Sequence, residues 1–270
     1  MRYLLFFVVS FFALADQASC QEDSLFHFRA SYRQQITDFT VDNIGNLYLL
    51  LQNGQLKKIN PNGDSVAVYN NVRRFGQPYS LDVSNPLKVL LYFKDFGTVV
   101  ILDRLLNSRS VLDLRAQRLL QVNAIGQSYD NNIWIFDGLE NKLKKIGDDG
   151  KLLDQTTDLR QVFDSTPSPQ FILDQDQSVY LYDSLMGVYV FDYYGGFKNR
   201  IPFTGWTDFR VINKSLFGRD PNFLYRYDLG SLDLQQMAIP AFMKGSEKLV
   251  IVQGMVYVLK NGELKLFSYP

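Results

Sequence analysis

The run Leu47-Tyr48-Leu49-Leu50-Leu51 is the first of six dense apolar segments that decide the fold of this chain. Runs of aromatic and aliphatic side chains between polar turns are typical of buried β-strands. The six runs begin at steps of 42, 44, 46, 37 and 40 residues. A period of about 40–45 residues is the spacing of β-propeller blades, each a sheet of four short strands. The later runs are Val89-Leu90-Leu91-Tyr92-Phe93, Ile133-Trp134-Ile135-Phe136, Val179-Tyr180-Leu181-Tyr182, Leu216-Phe217 and Val256-Tyr257-Val258-Leu259.

Tight turns and repeated strands flank these runs. Asn53-Gly54, Asp137-Gly138 and Asn261-Gly262 each begin within two residues of the end of a run. Such pairs supply the positive φ angles that two-residue β-hairpins require. The strand Gln55-Leu56-Lys57-Lys58-Ile59 is echoed by Lys142-Leu143-Lys144-Lys145-Ile146. The units therefore share one succession of strands and turns.

The two ends of the chain complete the sixth unit. After its apolar run, this unit has one further strand, Glu263 to Tyr269, and lacks a fourth. The segment Leu25-Phe26-His27-Phe28-Arg29 is a spare strand ahead of the first unit. Pairing these two strands would close the ring and cover an exposed sheet edge. The sequence predicts an all-β fold, a six-bladed β-propeller whose last blade is closed by the N-terminal strand.

One string in the first unit resembles a known family. Asp42-Asn43-Ile44-Gly45-Asn46-Leu47-Tyr48 is similar to the first hairpin of NHL and TolB-like six-bladed propellers. Asp130-Asn131-Asn132-Ile133-Trp134 and Asp174-Gln175-Asp176-Gln177-Ser178-Val179-Tyr180 are looser versions. The resemblance spans Leu25 to Pro270. It implies a disc with a central channel and a binding rim of loops, and it specifies no particular function.

The first twenty residues have the features of a signal peptide. Arg2 precedes an unbroken apolar run over residues 4–14, which is too short to span a bilayer. Cleavage is expected after Cys20, or earlier at Ala13-Leu14-Ala15, so that residues 21–270 form the propeller. We expect an exported protein, periplasmic or extracellular. If the lone Cys20 were lipidated, the chain would instead be anchored to a membrane, but Gln17 stands where lipoprotein signals usually carry Leu.

Charge and titratable groups exclude several function classes. Lys+Arg and Asp+Glu both total 28, and no basic stripe marks a nucleic-acid surface. The sole histidine, His27, falls on the closing strand at the perimeter, and the only cysteine precedes the mature chain. Cys–His and Ser–His pairs and histidine-based metal sites are thereby excluded. No motif indicates a cofactor.

Carboxylates near the axis leave one route to a metal. The first strands Thr37-Asp38-Phe39-Thr40-Val41 and Thr207-Asp208-Phe209-Arg210-Val211 match, which places Asp38 and Asp208 in one register. Their expected counterparts are Ser80, Gly126 and Gln170. Because blades one and five are not neighbours, the two carboxylates should face each other across a wide polar channel. A metal-dependent, lactonase-like hydrolase is therefore one of three functional hypotheses, and the other two follow below.

Aromatic residues gather in the fourth unit. Tyr193, Tyr194 and Phe197 fall in the turn after its third strand, beside Gly195-Gly196. Exposed aromatic residues of this kind suit contact with a protein or stacking on a sugar, and core packing is the alternative. We interpret the chain as a non-enzymatic protein-binding propeller of the bacterial envelope, a scaffold or subunit of an envelope complex. Glycan binding through Tyr194 is the second hypothesis.

Overall fold

The computed structural model describes residues 25–70, 74–252 and 254–270. The expected signal peptide over residues 1–20, including Cys20, lies outside the described residues. Among the described residues, no helix has the length and apolar character needed to cross a membrane.

The described residues form six four-stranded antiparallel sheets arranged in a ring. The predicted six-bladed β-propeller is confirmed, whereas the finer likeness to NHL and TolB-like propellers stays a proposal. Blade 1 consists of β2 (Ile36–Val41), β3 (Leu47–Leu51), β4 (Leu56–Ile59) and β5 (Ser65–Tyr69), and blade 2 of β6 (Ser80–Asn85), β7 (Lys88–Phe93), β8 (Thr98–Leu102) and β9 (Ser108–Asp113). Blade 3 consists of β10 (Val122–Gln127), β11 (Ile133–Asp137), β12 (Lys142–Ile146) and β13 (Leu152–Gln155), and blade 4 of β14 (Phe171–Gln175), β15 (Ser178–Asp183), β16 (Gly187–Phe191) and β17 (Phe197–Ile201). Blade 5 consists of β18 (Thr207–Ile212), β19 (Ser215–Arg219), β20 (Phe223–Asp228) and β21 (Leu234–Ala238), and blade 6 of β22 (Lys248–Val252), β23 (Met255–Lys260), β24 (Glu263–Ser268) and β1 (His27–Arg33). Single 3-10 turns lie at Leu159–Gln161 and Ala241–Met243.

The N-terminal strand closes the ring as predicted. β1 pairs antiparallel with β24, so that blade 6 has the order β1-β24-β23-β22. The strand reaches Arg33, four residues beyond the predicted end, and the Arg33 Nε donates to Glu263 Oε1 at 2.9 Å. Tyr32 packs against the apolar cluster shared by blades 6 and 1.

The apolar runs of the sequence are the second strands of the blades. Their side chains alternate between the two faces of each sheet, and both faces are buried against neighbouring blades. In blades 1 to 4 these strands are wholly buried, whereas the outer strands β13 and β21 are largely exposed. The core therefore lies between the blades.

Polar contacts also join successive blades. Lys58 Nζ of blade 1 donates to the carbonyl of Arg104 in blade 2 at 2.9 Å. The hydroxyl of Tyr92 in blade 2 donates to the carbonyl of Val122 in blade 3 at 2.9 Å. Because each of these buried groups finds its partner in the next blade, the blades are fixed in register as well as packed.

Blades 3 and 4 approach each other most closely at a glycine. A Cβ added to Gly126 on β10 would lie 2.5 Å from the backbone oxygen of Ile172 on β14. Backbone atoms cannot yield as a flexible side chain does, so only glycine fits here.

We expect Gly126→Ala to lower the free energy of unfolding by about 2–3 kcal/mol, because the two inner strands must separate. Urea titration of purified protein measures this value. Gly230→Ala is the matched control, since its added Cβ would meet only a side-chain oxygen of Asp228, at 3.3 Å. A Gly126→Ala variant as stable as that control would contradict the close approach of the two strands.

Candidate functional site

Two regions contain the residues that the sequence singled out: the inner strands around the axis and the aromatic turn of blade 4. On the inner strands, Asp38 lies on β2 and Asp208 on β18. The Asp38 carboxylate accepts from Lys248 Nζ at 2.6 Å. The Asp208 carboxylate accepts from Arg219 Nε at 2.5 Å and from the Leu249 N–H at 2.8 Å. Both carboxylates are thus neutralised by cations.

The channel between these carboxylates is occupied by a side chain that the sequence analysis did not single out. Arg210 of blade 5 reaches across the axis to blade 1, where its Nη2 lies 3.5 Å from Thr40 Oγ1. At the level of Thr40 the channel is therefore narrower than the sequence predicted, because one guanidinium spans it. Burial lowers the pKa of Arg210, and the charges of Asp208 and Asp38 oppose this shift. Arginine stays protonated through such shifts, so the axis holds a fixed positive charge.

Local backbone geometry places these groups. The register of β18 shifts between Thr207 and Arg210, and Asp208 in this bulge has a φ of 54°. Aspartate tolerates the left-handed region better than most residues, and bulges re-aim side chains. Strand pairing places Gly126 at the level of Thr40, whereas the sequence predicts the level of Asp38; Ala124 is the residue of β10 at that level.

The donors needed to hold a metal are scattered. Among the described residues, no group of three or more His, Cys, Asp or Glu side chains could hold a metal ion. His27 lies exposed on β1, the outermost strand of blade 6. A metal at Asp38 or Asp208 would have to displace Lys248 or Arg219.

The aromatic turn of blade 4 packs against a tyrosine of blade 3, and together they form one aromatic surface. Tyr193 stacks on Tyr129, with ring centroids 4.0 Å apart and planes 14° apart. Tyr129 is 59% exposed and the neighbouring Tyr194 is 86% exposed. We call these three residues the tyrosine patch. Tyr129 lies in the turn between β10 and β11, and sequence reasoning missed it because the stack joins different blades.

Phe197 does not belong to this patch. It is the first residue of the outer strand β17 and not part of the turn, and its ring packs edge-on against Phe163 at 4.8 Å. Tyr193 is also less free than predicted, because Tyr129 covers one of its faces. Of the three predicted residues, Tyr194 projects furthest into solvent.

Hydrogen bonds to two aspartates hold the tyrosine patch in place. Asp174 Oδ2 on β14 accepts from the Tyr129 N–H at 3.1 Å and from Trp134 Nε1 at 2.9 Å. In the turn, Asp192 Oδ1 accepts from the Tyr194 N–H at 2.9 Å, which is an Asx turn. The patch is therefore pre-organised from both blades.

Burial acts on two titratable groups of this region, Asp174 beneath the patch and Tyr193 within it. It raises the pKa of Asp174 above its ordinary value, against the opposing effect of the hydrogen bonds from Trp134, Tyr129 and Ser128. Burial is also the main cause that raises the pKa of Tyr193, and the nearby charge of Asp174 adds to it.

Comparisons with known proteins agree on the fold. No protein-family model matches the chain. No curated protein matches its sequence. The chain is similar to virginiamycin B lyase from Staphylococcus aureus, with a TM-score of 0.66 and 14% identity over 91% of this chain and 100% of that chain. The likenesses show the fold alone.

Two further solved propellers are similar to this chain. BBS1N, solved in complex with ARL6DN, has a TM-score of 0.59 and 10% identity over 91% of this chain and 97% of that chain. The β-propeller domain of Cps50 (Swd1) from Myceliophteria thermophila has a TM-score of 0.57 and 8% identity over 91% and 100%. The comparisons therefore include both an enzyme and a propeller that holds a protein.

The raised pKa of Asp174 makes the folding stability depend on pH, and comparison with the variant Asp174→Asn isolates this contribution. Its pKa in the folded protein lies above the value of 3.8 expected when unfolded, so ionisation opposes folding. We expect the stability of the wild type relative to Asp174→Asn to be greatest below about pH 4 and to fall as pH rises through the folded pKa. Urea unfolding of both proteins from pH 3.5 upward measures this difference. A difference that is constant, or that grows with pH, would contradict the assignment.

Proposed function

We propose that this chain is a non-enzymatic protein-binding propeller of the bacterial envelope, acting as a scaffold or subunit of an envelope complex. The observation that carries the proposal is the tyrosine patch, an exposed aromatic surface held by two blades. Tyrosine is enriched in protein interfaces because it offers a large contact area at a small cost in side-chain entropy. The envelope location rests on the expected signal peptide.

The patch belongs to a wider apolar surface. The turns between first and second strands and between third and fourth strands all lie on one face of the ring, which we call the hairpin face. In addition to Tyr129 and Tyr194, the hairpin face exposes Ile44 of blade 1, Leu87 of blade 2 and Leu232 of blade 5. Apolar side chains spread over a rigid face suit a partner of protein size better than a small substrate.

The position of the sole histidine gives an enzymatic function less support than protein binding. In virginiamycin B lyase, a variant with a histidine replaced by alanine is catalytically inactive. The sole histidine of this chain, His27, lies on the perimeter strand, away from the axis. The solved complex of BBS1N with ARL6DN is a case in which a similar propeller holds a protein partner.

We expect the double variant Tyr129→Ala/Tyr194→Ala to weaken partner binding by about 2 kcal/mol or more, roughly 30-fold, because stacked tyrosines are typical hot-spot residues. The measurement is affinity capture from an envelope fraction with the purified chain as bait, followed by titration of the captured protein. Leu185→Ala is the matched control, since Leu185 is 83% exposed in the turn between β15 and β16, on the opposite face.

Two results would contradict this proposal. Capture of no reproducible partner by the wild-type bait would remove the protein-binding function. A glycan-array signal that disappears in the double variant, without any captured protein, would favour the glycan-binding alternative instead.

A further inference from the structure

The seam between blades 5 and 6 is packed differently from the other five seams. Clusters of nine to twelve buried apolar side chains fill those five seams. Among the described residues, the cluster at this seam has five buried members, and all of them come from blade 6 or from the segment that links the two blades. A cavity of about 690 Å³ occupies the remaining space. Its size falls within the usual range of small-molecule sites.

Blade 5 presents a row of four side chains to this cavity. Strand pairing sets Arg210, Phe217, Arg226 and Gln235 directly beside one another across β18, β19, β20 and β21. Cross-strand neighbours point to the same face of a sheet, so the row runs from the axis to the perimeter along the cavity wall. All four residues line the cavity.

Other blades show what a cation in such a row normally does. In blade 1, Lys58 occupies the position of Arg226, and its Nζ donates to the carbonyl of Arg104 in blade 2 at 2.9 Å. In blade 3, Lys145 occupies the same position and donates to Asp130 Oδ2 at 3.1 Å. Both cations therefore donate hydrogen bonds to acceptors within the protein.

The two arginines of the blade 5 row, Arg210 and Arg226, have few hydrogen-bond acceptors within the protein. Arg226 is 52% exposed; its Nη2 lies 3.9 Å from Asp228, and its Nε lies 3.5 Å from Ser215 Oγ. Within the described residues, Arg210 has the single contact at 3.5 Å to Thr40. A guanidinium group has five N–H donors, so both groups keep most of their capacity for hydrogen bonds.

The opposite wall of the cavity is apolar. Leu249 and Ile251 on β22 belong to the cluster at this seam, and Val252 also lines the cavity, whereas Val250 faces blade 1. The lining also includes Asp208, but its carboxylate is paired with Arg219. Guanidinium groups with free N–H donors beside apolar walls match a molecule with an anionic head and an apolar body. The planar guanidinium fork binds a carboxylate through two parallel hydrogen bonds.

We propose that the cleft between blades 5 and 6 binds an amphipathic carboxylate, whose head group is held by Arg210 and Arg226. The apolar body of the ligand packs on Phe217, Leu249 and Ile251. This site is distinct from the tyrosine patch and does not depend on the proposed protein-binding function.

Calorimetric titration of the purified chain with decanoate at neutral pH tests the proposal. Two probes separate the contributions of the head and the chain of the ligand. Acetate has the carboxylate head with a single methyl group, and decyltrimethylammonium has a positive head on an alkyl chain one carbon longer. We expect one decanoate per chain and at least tenfold weaker binding of both other probes. Because this comparison uses the unaltered protein, it decides the matter even if a variant misfolds.

Arginine variants test where the carboxylate head group of decanoate binds. Arg226→Met and Arg210→Met each keep side-chain length and remove the charge, and we expect each to weaken decanoate binding at least tenfold. Arg109→Met is the charge-matched control on the exposed outer strand β9 and should leave binding unchanged. Tyr194→Ala should also leave it unchanged, which keeps failure of this proposal separate from failure of the protein-binding function.

Three results would overturn the proposal. One is a dissociation constant for decanoate weaker than about 1 mM. The second is equal affinity for decanoate and decyltrimethylammonium, which would indicate apolar binding without a head-group site. The third is unchanged decanoate affinity in a folded Arg226→Met variant.

Discussion

The pairing of β1 with β24 is the constraint on which the rest of this molecule depends. Each blade buries its two faces against its neighbours, so no blade is complete until the ring is closed. β1 supplies the outer strand of blade 6, and Tyr32 on β1 packs into the cluster between blades 6 and 1. Closure thereby ties one end of the described chain to the other and covers the edge of β24 with the strand β1.

The closed ring contains two kinds of seam. Most seams are filled by apolar clusters and crossed by buried hydrogen bonds, as between Tyr92 and Val122, and they form a rigid support for the tyrosine patch. The seam between blades 5 and 6 has a cavity in place of a full cluster. This contrast separates the proposed protein-binding surface from the proposed ligand-binding cleft.

Much of the fold could be predicted because its signals are local and repeated. Six apolar runs, turn pairs such as Asn53-Gly54 and the spare strand at Leu25 depend on strand period and turn chemistry. The site was harder because it depends on contacts between blades. Tyr129 and Tyr193 are 64 residues apart in the sequence and meet only through blade packing. Arg210 left one trace in the sequence, because it replaces Thr40 in otherwise matching strands. Its contact with Thr40 depends on how blades 5 and 1 face each other across the axis.

A cross-link between β1 and β24 tests closure of the ring most directly. Ser31 and Lys265 are exposed and directly opposite on these strands. Ser31→Cys/Lys265→Cys, in a chain that also carries Cys20→Ser, should form an intrachain disulfide on mild oxidation and remain monomeric. It should raise the free energy of unfolding by up to about 5 kcal/mol, because the cross-link closes a very long loop. Thiols that stay free in the folded protein, or disulfides that form only between chains, would contradict the closed six-bladed ring.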